Sequence, residues 1–176
     1  MSRLTNKTIN YRLKADDENG KLLIIDDTAD IQLPPIEKLT DTIKGAGIMG
    51  EIDFPALGQI GSMTLTVNHR ADNAKYALLS RPGTIHIELV WLTDVLDSNN
   101  LTVGTQQNKV FITGINKKYD PGKIEVGASV DGSSEFEVLY YRKLVDGVEV
   151  LLIDKLNFKY VVNGKDYMGE IMTALN

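Results

Sequence analysis

The feature that most constrains the fold is a two-residue alternation of apolar and polar side chains along most of the chain. In the segment "SMTLTVN", Met63, Leu65 and Val67 alternate with polar residues. Successive side chains of a strand point to opposite faces, so the pattern predicts a strand with one buried and one wet face. Similar alternation recurs in the segments "TIHIELVWL", "KVFITGIN", "FEVLYYRKLV", "VEVLLID" and "LNFKYVV". The chain is therefore predicted to be mainly β.

Turn signals separate these segments. Asn19-Gly20, Asp146-Gly147 and Asn163-Gly164 stand between apolar runs. Such dipeptides supply the positive φ angles that two-residue hairpin turns need, so each predicts a hairpin. Gly114, inside "KVFITGIN", predicts a bulge or a close approach of another backbone. The connectivity is therefore predicted to be mostly antiparallel.

Helix and loop signals are few. A helix is predicted from about Ala71 to Ser80, ended by Pro82-Gly83, and a second short helical turn around Gly169 to Leu175. The polar segment "LDSNNLTVGTQQN" is predicted to be a loop. A second predicted loop, "LPPIEKLTDTIKGAGIMGEIDFPALGQIG", is long, rich in Pro and Gly, and apolar. A lone domain rarely exposes such a segment without a use for it, which suggests a surface completed by a partner.

Composition excludes several classes of protein. The 176 residues fit one domain, residues 1–176, and contain no cysteine, which excludes disulfides and thiol nucleophiles. No apolar run approaches the roughly 18 residues of a membrane span, and the first ten residues do not resemble a signal peptide. We therefore expect no membrane insertion. The net charge is −5 without a basic cluster, so any DNA is expected to pass without specific binding.

One motif suggests a nucleotide site. Gly45, Gly47 and Gly50 form a literal Gly-x-Gly-x-x-Gly. A phosphate loop needs an apolar strand before it and a helix opening at its last glycine. Here a charged segment precedes the motif, and Pro55 follows where a helix would continue. We interpret the glycines as a tight bend between extended segments.

No catalytic or metal signature is found. His69 and His86 are the only histidines, without a short ligand spacing, and no Gly-x-Ser-x-Gly elbow occurs. The acidic run at residues 15–30 lacks the frame of an EF-hand. We predict no enzyme activity, no cofactor and no bound metal.

The order of several motifs resembles the major tail tube protein of phages with contractile tails. Three blocks of the chain carry the resemblance. They are Leu33-Pro34 with Gly45, Gly47, Met49 and Gly50; then Gly114, Asp120, Gly122 and Gly127; and finally Tyr140-Tyr141, Asp146-Gly147, Glu149, Ile153-Asp154, Val162-Asn163-Gly164 and Asp166. Ile48 departs from the family pattern, because it adds a residue between the glycine pair and the methionine.

The resemblance implies a fold and an assembly. The expected fold is a β-sandwich or partly closed antiparallel barrel with one flanking α-helix and a long inter-subunit hairpin or loop. Six copies would form a ring, and rings would stack into a tube with a lumen for DNA passage. The implied partners are other copies of the chain, the tail sheath, the baseplate and the tape-measure protein. The implied location is a virion tail, or a phage-tail-like bacteriocin particle, assembled in the cytoplasm of the bacterial host.

Two sets of residues are candidates for assembly. The predicted subunit interface consists of Leu33, Pro34, Ile36, Gly45, Gly47, Met49, Gly50 and Phe54. The acids predicted to face the lumen or a ring face are Asp16, Asp17, Glu18, Asp26 and Asp27. An exposed loop on the outer wall is the alternative position for these acids. The alternative function is a monomeric β-sandwich that binds a sugar or another small ligand.

Overall fold

A computed structural model describes residues 3–176, in which strands dominate. The strands are β1 (Arg3–Asp16), β2 (Leu22–Ile25), β3 (Thr28–Gln32), β4 (Lys38–Ile43), β5 (Ile52–Ile60), β6 (Thr64–His69), β7 (Thr84–Asp97), β8 (Thr102–Asp120), β9 (Gly132–Val145), β10 (Val148–Asp154), β11 (Lys159–Val162) and β12 (Lys165–Asp166). The helices are α1 (Ala74–Leu79) and α2 (Gly169–Leu175). The prediction of a mainly β protein is confirmed.

Ten strands form one antiparallel sheet that branches at β9. Its main path runs β12-β11-β10-β9-β8-β7-β1-β2, and β6 also pairs with β9 and with β3. The first half of β9 pairs with β6 and the second half with β10. Because β2 and β3 are consecutive in the chain, the sheet curls back toward its own start. Among residues 3–176 no ladder joins β2 to β3, so the barrel stays open.

The core lies inside the curl of this sheet. Met63, Leu65 and Val67 are fully buried on one face of β6, as their alternation predicts. Ile85 and Ile87 are buried on β7 in the same way. The inner faces of the other long strands add further buried residues, including Leu13, Val110, Ile112, Phe136, Val138 and Ile153.

Helix α1 covers one end of the core. Its Asn73 cap accepts hydrogen bonds from the backbone N–H groups of Lys75 and Tyr76, which satisfies donors of the first turn. Tyr76 and Leu79 are buried, and the Tyr76 hydroxyl donates to the backbone oxygen of Asp26 at 2.5 Å. The helix is therefore hydrogen-bonded to the turn between β2 and β3.

Strands β4 and β5 form a separate two-stranded sheet, which we call the arm (residues 38–60). Thr40 pairs with Pro55 and Ile43 with Ile52. At the base of the arm, the Gly61 N–H donates to the Glu37 oxygen at 2.8 Å. The long segment that we predicted to be a loop is therefore largely a hairpin, the other form that the resemblance implied.

Two local predictions need correction. The polar segment "LDSNNLTVGTQQN" is not a loop: only residues 98–101 turn, and the rest continues β7 and β8. Long ladders override its weak β propensity, because Asp97 pairs with both Arg3 and Thr102. The first helix is shorter than predicted, since Asn73 caps it. Helix α2 forms where the second short helical turn is predicted.

The turn and bulge predictions agree with the structure. Asp146 and Gly147 have φ angles of 48° and 80°, and Asn163 and Gly164 have similar values. The ladder between β8 and β9 shifts register at Gly114. In the described part of the chain, no helix is long and apolar enough to cross a membrane.

Candidate assembly surface

The tip of the arm contains the glycine motif. Gly45, Gly47 and Gly50 have φ angles of 158°, 87° and 96°, and no atom lies within 4 Å of the Cβ that each would carry. The Ile48 N–H donates to the Gly45 oxygen at 3.2 Å, which closes a turn. The glycines therefore make a bend at the end of a projecting hairpin, and no helix opens at the last of them.

The arm exposes apolar side chains along its whole length. Met49 at the tip is fully exposed, and Phe54 remains 56% exposed. The other exposed apolar residues of the arm are Leu39, Ile43, Ile52 and Leu57. Polar cross-strand contacts hold the hairpin together, such as the hydrogen bond from the Thr42 hydroxyl to Asp53 at 2.8 Å. The arm is thus a formed element whose apolar surface is in contact with water.

The predicted interface residues fall into two groups. Pro34 is buried, and Leu33 and Ile36 are half-buried against the core at the base of the arm. The glycines, Met49 and Phe54 lie at or near the tip. In the isolated chain the first group therefore anchors the arm, while the second group remains available to other molecules.

The predicted acids also differ in environment. Glu18, Asp26 and Asp27 are exposed, whereas Asp17 is half-buried and accepts hydrogen bonds from the backbone of Asn19 and Lys21 at 2.8 Å each. Asp16, by contrast, is buried. Arg81 neutralises its carboxylate, so Asp16 adds little to the exposed negative charge.

A groove lies where the arm meets the main sheet. It has a volume of about 630 Å³ between β5, β10, β11 and the segment before α2. Its apolar lining includes Pro55, Leu57, Phe158, Tyr160 and Met168. No local pattern in the sequence predicts this groove, because the arm and the C-terminal strands are about 100 residues apart in the chain and the lining forms only when they meet.

Lysines stand at the rim of this groove. Lys155 is occupied, because its Nζ donates to Glu137 at 3.3 Å and to the Gly61 oxygen at 3.1 Å. Lys38 and Lys159 also line the groove, and neither forms an ion pair with an acid of residues 3–176. Lys38 lies 5.6 Å from the centre of the Tyr160 ring. The lining contains one acid, Asp154, against three lysines, so the groove combines an apolar floor with a net positive charge.

The outer face of the main sheet carries a charged cluster. Glu88 accepts from Lys14 at 3.3 Å and from Lys109 at 3.1 Å, across three neighbouring strands. Burial acts to raise the pKa of Glu88, but the hydrogen bonds from Lys109 and Lys14 outweigh it and hold the pKa below its usual value. This cluster of two lysines around one buried carboxylate is consequently positive on balance.

The two histidines occupy different environments. His69 is buried at the end of β6, stacked on Tyr76 at a centroid distance of 4.0 Å, and its Nδ1 lies 3.1 Å from the Ala71 oxygen. His86 is exposed on β7, with Nδ1 3.0 Å from the Thr113 hydroxyl. Residues 3–176 contain no group of three or more His, Cys, Asp or Glu that could hold a metal. Neither histidine belongs to a recognisable catalytic arrangement.

Comparison with known proteins supports a structural role. A model of the family described as "Phage tail tube protein FII" matches residues 16–175. No curated protein matches the chain.

Two solved structures are similar to this chain at low sequence identity. One is a chain of the six-fold symmetrised cryo-EM structure of the anti-feeding prophage (AFP) baseplate, with a TM-score of 0.52 and 13% identity over 82% of this chain and 97% of that one. Another belongs to the sheath/tube terminator, in the extended state, of the extracellular contractile injection system PVC. It has a TM-score of 0.48 and 11% identity over 77% of this chain and 94% of that one. The family match covers most of the chain, and this protein therefore belongs to the phage tail tube protein FII family, with a structural role in a tail tube.

Proposed function

We propose that this chain is the repeating subunit of the inner tube of a contractile tail or phage-tail-like particle. Six copies form a ring, and stacked rings enclose a lumen through which DNA passes without specific binding. The sheath, the baseplate and the tape-measure protein are its other partners, and assembly takes place in the cytoplasm of the bacterial host. The protein has no enzymatic role.

The apolar arm is the observation that carries this proposal. It is a formed hairpin in which six large apolar side chains remain exposed: Leu39, Ile43, Met49, Ile52, Phe54 and Leu57. Exposed apolar patches rimmed by polar residues mark interaction sites. A stable subunit contact buries on the order of 1,600 Å². Packing of the arm against another copy would supply apolar area to such a contact.

A free sheet edge offers a second joining surface. Among the described strands, β2 pairs with β1 alone. Leu22 and Ile24 of β2 are 43% and 44% exposed. An unpaired edge with apolar side chains is a template for pairing with another chain. Pairing of this edge with a neighbouring copy would extend the sheet around a ring.

The negative charge of the chain favours a lumen that does not bind DNA. The net charge of the chain is −5, and Glu18, Asp26 and Asp27 are exposed. A negative lumen repels phosphate groups, so a duplex would slide without adhering. We propose that these exposed acids face the lumen or a ring face.

Electron microscopy of the purified full chain at high concentration tests the proposal. Hollow tubes or six-fold rings are expected, because a contact between different surfaces of two copies either closes into a ring or continues as a filament. Particles that remain monomeric at all concentrations, with the arm packed on their own body in solution scattering, would contradict it.

The groove favours one second candidate, a monomeric module that binds a small ligand. Phe158, Tyr160 and Tyr167 line it together, which gives the concave aromatic face that such a module needs. This candidate predicts that a monosaccharide or a small aromatic probe perturbs the NMR signals of these residues in a monomeric protein. Tube formation without such a response would favour the structural role alone.

A further inference from the structure

The loop between β8 and β9 (residues 121–131, the knob loop) holds apolar side chains in water. Ile124 and Val126 are 93% and 104% exposed, and the exposed Glu125 stands between them. β-Branched side chains have few rotamers, so little side-chain entropy is lost when they are buried. The knob loop therefore presents a compact apolar–acidic–apolar surface.

Backbone hydrogen bonds fix the shape of the knob loop. The Lys123 N–H donates to the Val130 oxygen at 2.8 Å, and the Val130 N–H donates to the Arg70 oxygen at 3.0 Å. The Ala128 N–H donates to the Glu125 oxygen at 3.3 Å, which closes an inner turn. A loop that is already ordered loses less entropy on binding, so its exposed residues are suited to a contact.

The knob loop and the groove cannot meet within one copy. The knob loop joins β9 at Gly132, whereas Tyr140 of β9 pairs with Asp154, which lines the groove. Eight residues of extended strand separate these points by roughly 26 Å. A contact between the two surfaces must therefore join different copies.

We propose that the knob loop of one copy docks into the groove of a second copy. Ile124 and Val126 pack on the apolar lining, and Glu125 pairs with Lys38 and Lys159 at the rim. This inference rests on the proposed function, because it supplies one of the contacts between copies that a tube requires. A knob and a groove at different places on the chain make a contact that propagates through a ring or filament.

Charge complementarity selects this occupant for the groove. The knob loop and the adjoining Asp120 carry three acids, Asp120, Glu125 and Asp131, against Lys123 alone, which is a net charge of −2. Within the knob loop, Lys123 and Glu125 form an ion pair at 3.2 Å in which both side chains are exposed. Exposed ion pairs contribute little stability, so Glu125 can exchange this partner for a lysine of the groove. The tip of the arm has one lysine and one glutamate, Lys44 and Glu51, already paired at 3.5 Å.

Charge reversal with rescue tests the contact. The critical concentration for tube assembly is measured by sedimentation for wild type, Glu125→Lys, Lys159→Glu and the double variant. Each single reversal is expected to raise it about tenfold, because like charges then face each other across the contact. The double variant is expected to return close to wild type. Glu170→Lys makes the same charge change at an exposed position of α2 that does not line the groove, and it is the control for net charge.

Cross-linking identifies directly which segment of a second copy lies in the groove. The chain has no cysteine, so Val126→Cys and Leu57→Cys proteins can be mixed, assembled and treated with a short bismaleimide. Dimers from this mixture support the proposal. Dimers formed instead when Leu57→Cys is mixed with Met49→Cys or Val103→Cys, or no dimers in assembled tubes, would overturn it.

The outcomes separate this inference from the proposed function. Wild-type tubes together with unaffected assembly of Glu125→Lys overturn the inference alone, and the tube role stands. A wild-type chain that forms neither tubes nor rings contradicts the proposed function, and the inference falls with it.

Discussion

Arg81 donates two hydrogen bonds to Asp16. Its Nη2 lies 2.7 Å from the Asp16 carboxylate and its Nη1 lies 2.8 Å from the Asp16 backbone oxygen. The same carboxylate accepts from the His86 N–H at 3.0 Å. The side chains of Arg81 and Asp16 are only 14% and 9% exposed. This pair links the end of β1, the second residue after α1 and the start of β7.

Loss of the Asp16 charge should destabilise the fold. Asp16→Asn leaves the Arg81 guanidinium largely buried without a counter-charge, and we expect the free energy of unfolding to fall by about 2–4 kcal/mol. Urea denaturation of the unassembled chain measures this. Asp26→Asn breaks the exposed pair with Lys75 and is the matched control, with an expected loss below about 1 kcal/mol. Equal effects of the two substitutions would contradict the assigned role.

Strain at the tip of the arm should block assembly while the core remains folded. Gly47 has a φ of 87°, which a β-branched residue adopts only at high cost. We expect Gly47→Val to prevent tube formation and to leave the circular dichroism spectrum unchanged. Ala46→Val adds the same side chain one position earlier, where φ is not positive, and should permit tubes. Normal tubes of Gly47→Val in negative-stain microscopy would reject this role of the bend.

Two phenylalanines should respond in opposite ways. Phe136 is fully buried, so Phe136→Ala is expected to cost about 4 kcal/mol of stability. Phe54 is 56% exposed on the arm, and Phe54→Ala should change the stability of the unassembled chain by less than about 0.5 kcal/mol. The Phe54 variant should nevertheless raise the concentration needed for tube assembly. Thermal unfolding and sedimentation separate the two effects, and unchanged assembly of Phe54→Ala would argue against the arm as an interface.

Two glycines of β8 should differ in their tolerance of a methyl group. A Cβ on Gly114 would lie 2.8 Å from the Glu137 backbone oxygen, whereas nothing lies within 4 Å of one on Gly104. Gly114→Ala is therefore expected to lower stability by about 1–3 kcal/mol. Gly104→Ala should leave it within about 0.5 kcal/mol of wild type. Similar unfolding midpoints for the two variants would show that the strands relax around the added group.

Low pH should remove the contribution of Glu88 to the stability of the fold. The pKa of Glu88 is lowered in the folded chain, so its ion pairs stabilise the fold fully above the unfolded pKa of about 4.3. This contribution is lost as the pH falls through the lower, folded pKa. The difference in unfolding free energy between wild type and Glu88→Gln should thus stay constant from pH 7 to about pH 5.5 and shrink at lower pH. Glu18→Gln, in an exposed turn, should show no comparable difference, and a Glu88 difference that grew in acid would contradict this account.

Local signals in the sequence were enough to predict much of the sheet. Met63, Leu65 and Val67 alternate with polar residues, and their burial follows because a strand turns alternate side chains to opposite faces. Asp146-Gly147 predicts its hairpin for an equally local reason, because Asp and Gly adopt positive φ angles more readily than most residues. The prediction of a loop is wrong for residues 102–108, because their strand character comes from long ladders with neighbouring strands.

The amino-acid sequence by itself thus determined the strand periodicity, the hairpin turns, the glycine bend at the tip of the arm and, through the order of its motifs, the family. Only the tertiary structure decided that Asp16 is buried with Arg81, that the arm projects as a hairpin, and that Leu57, Phe158 and Tyr160 share a groove. The physical reason is distance along the chain. Alternation and turn chemistry act between neighbouring residues, whereas an ion pair or a groove between remote segments exists only after the sheet has curled and brought them together.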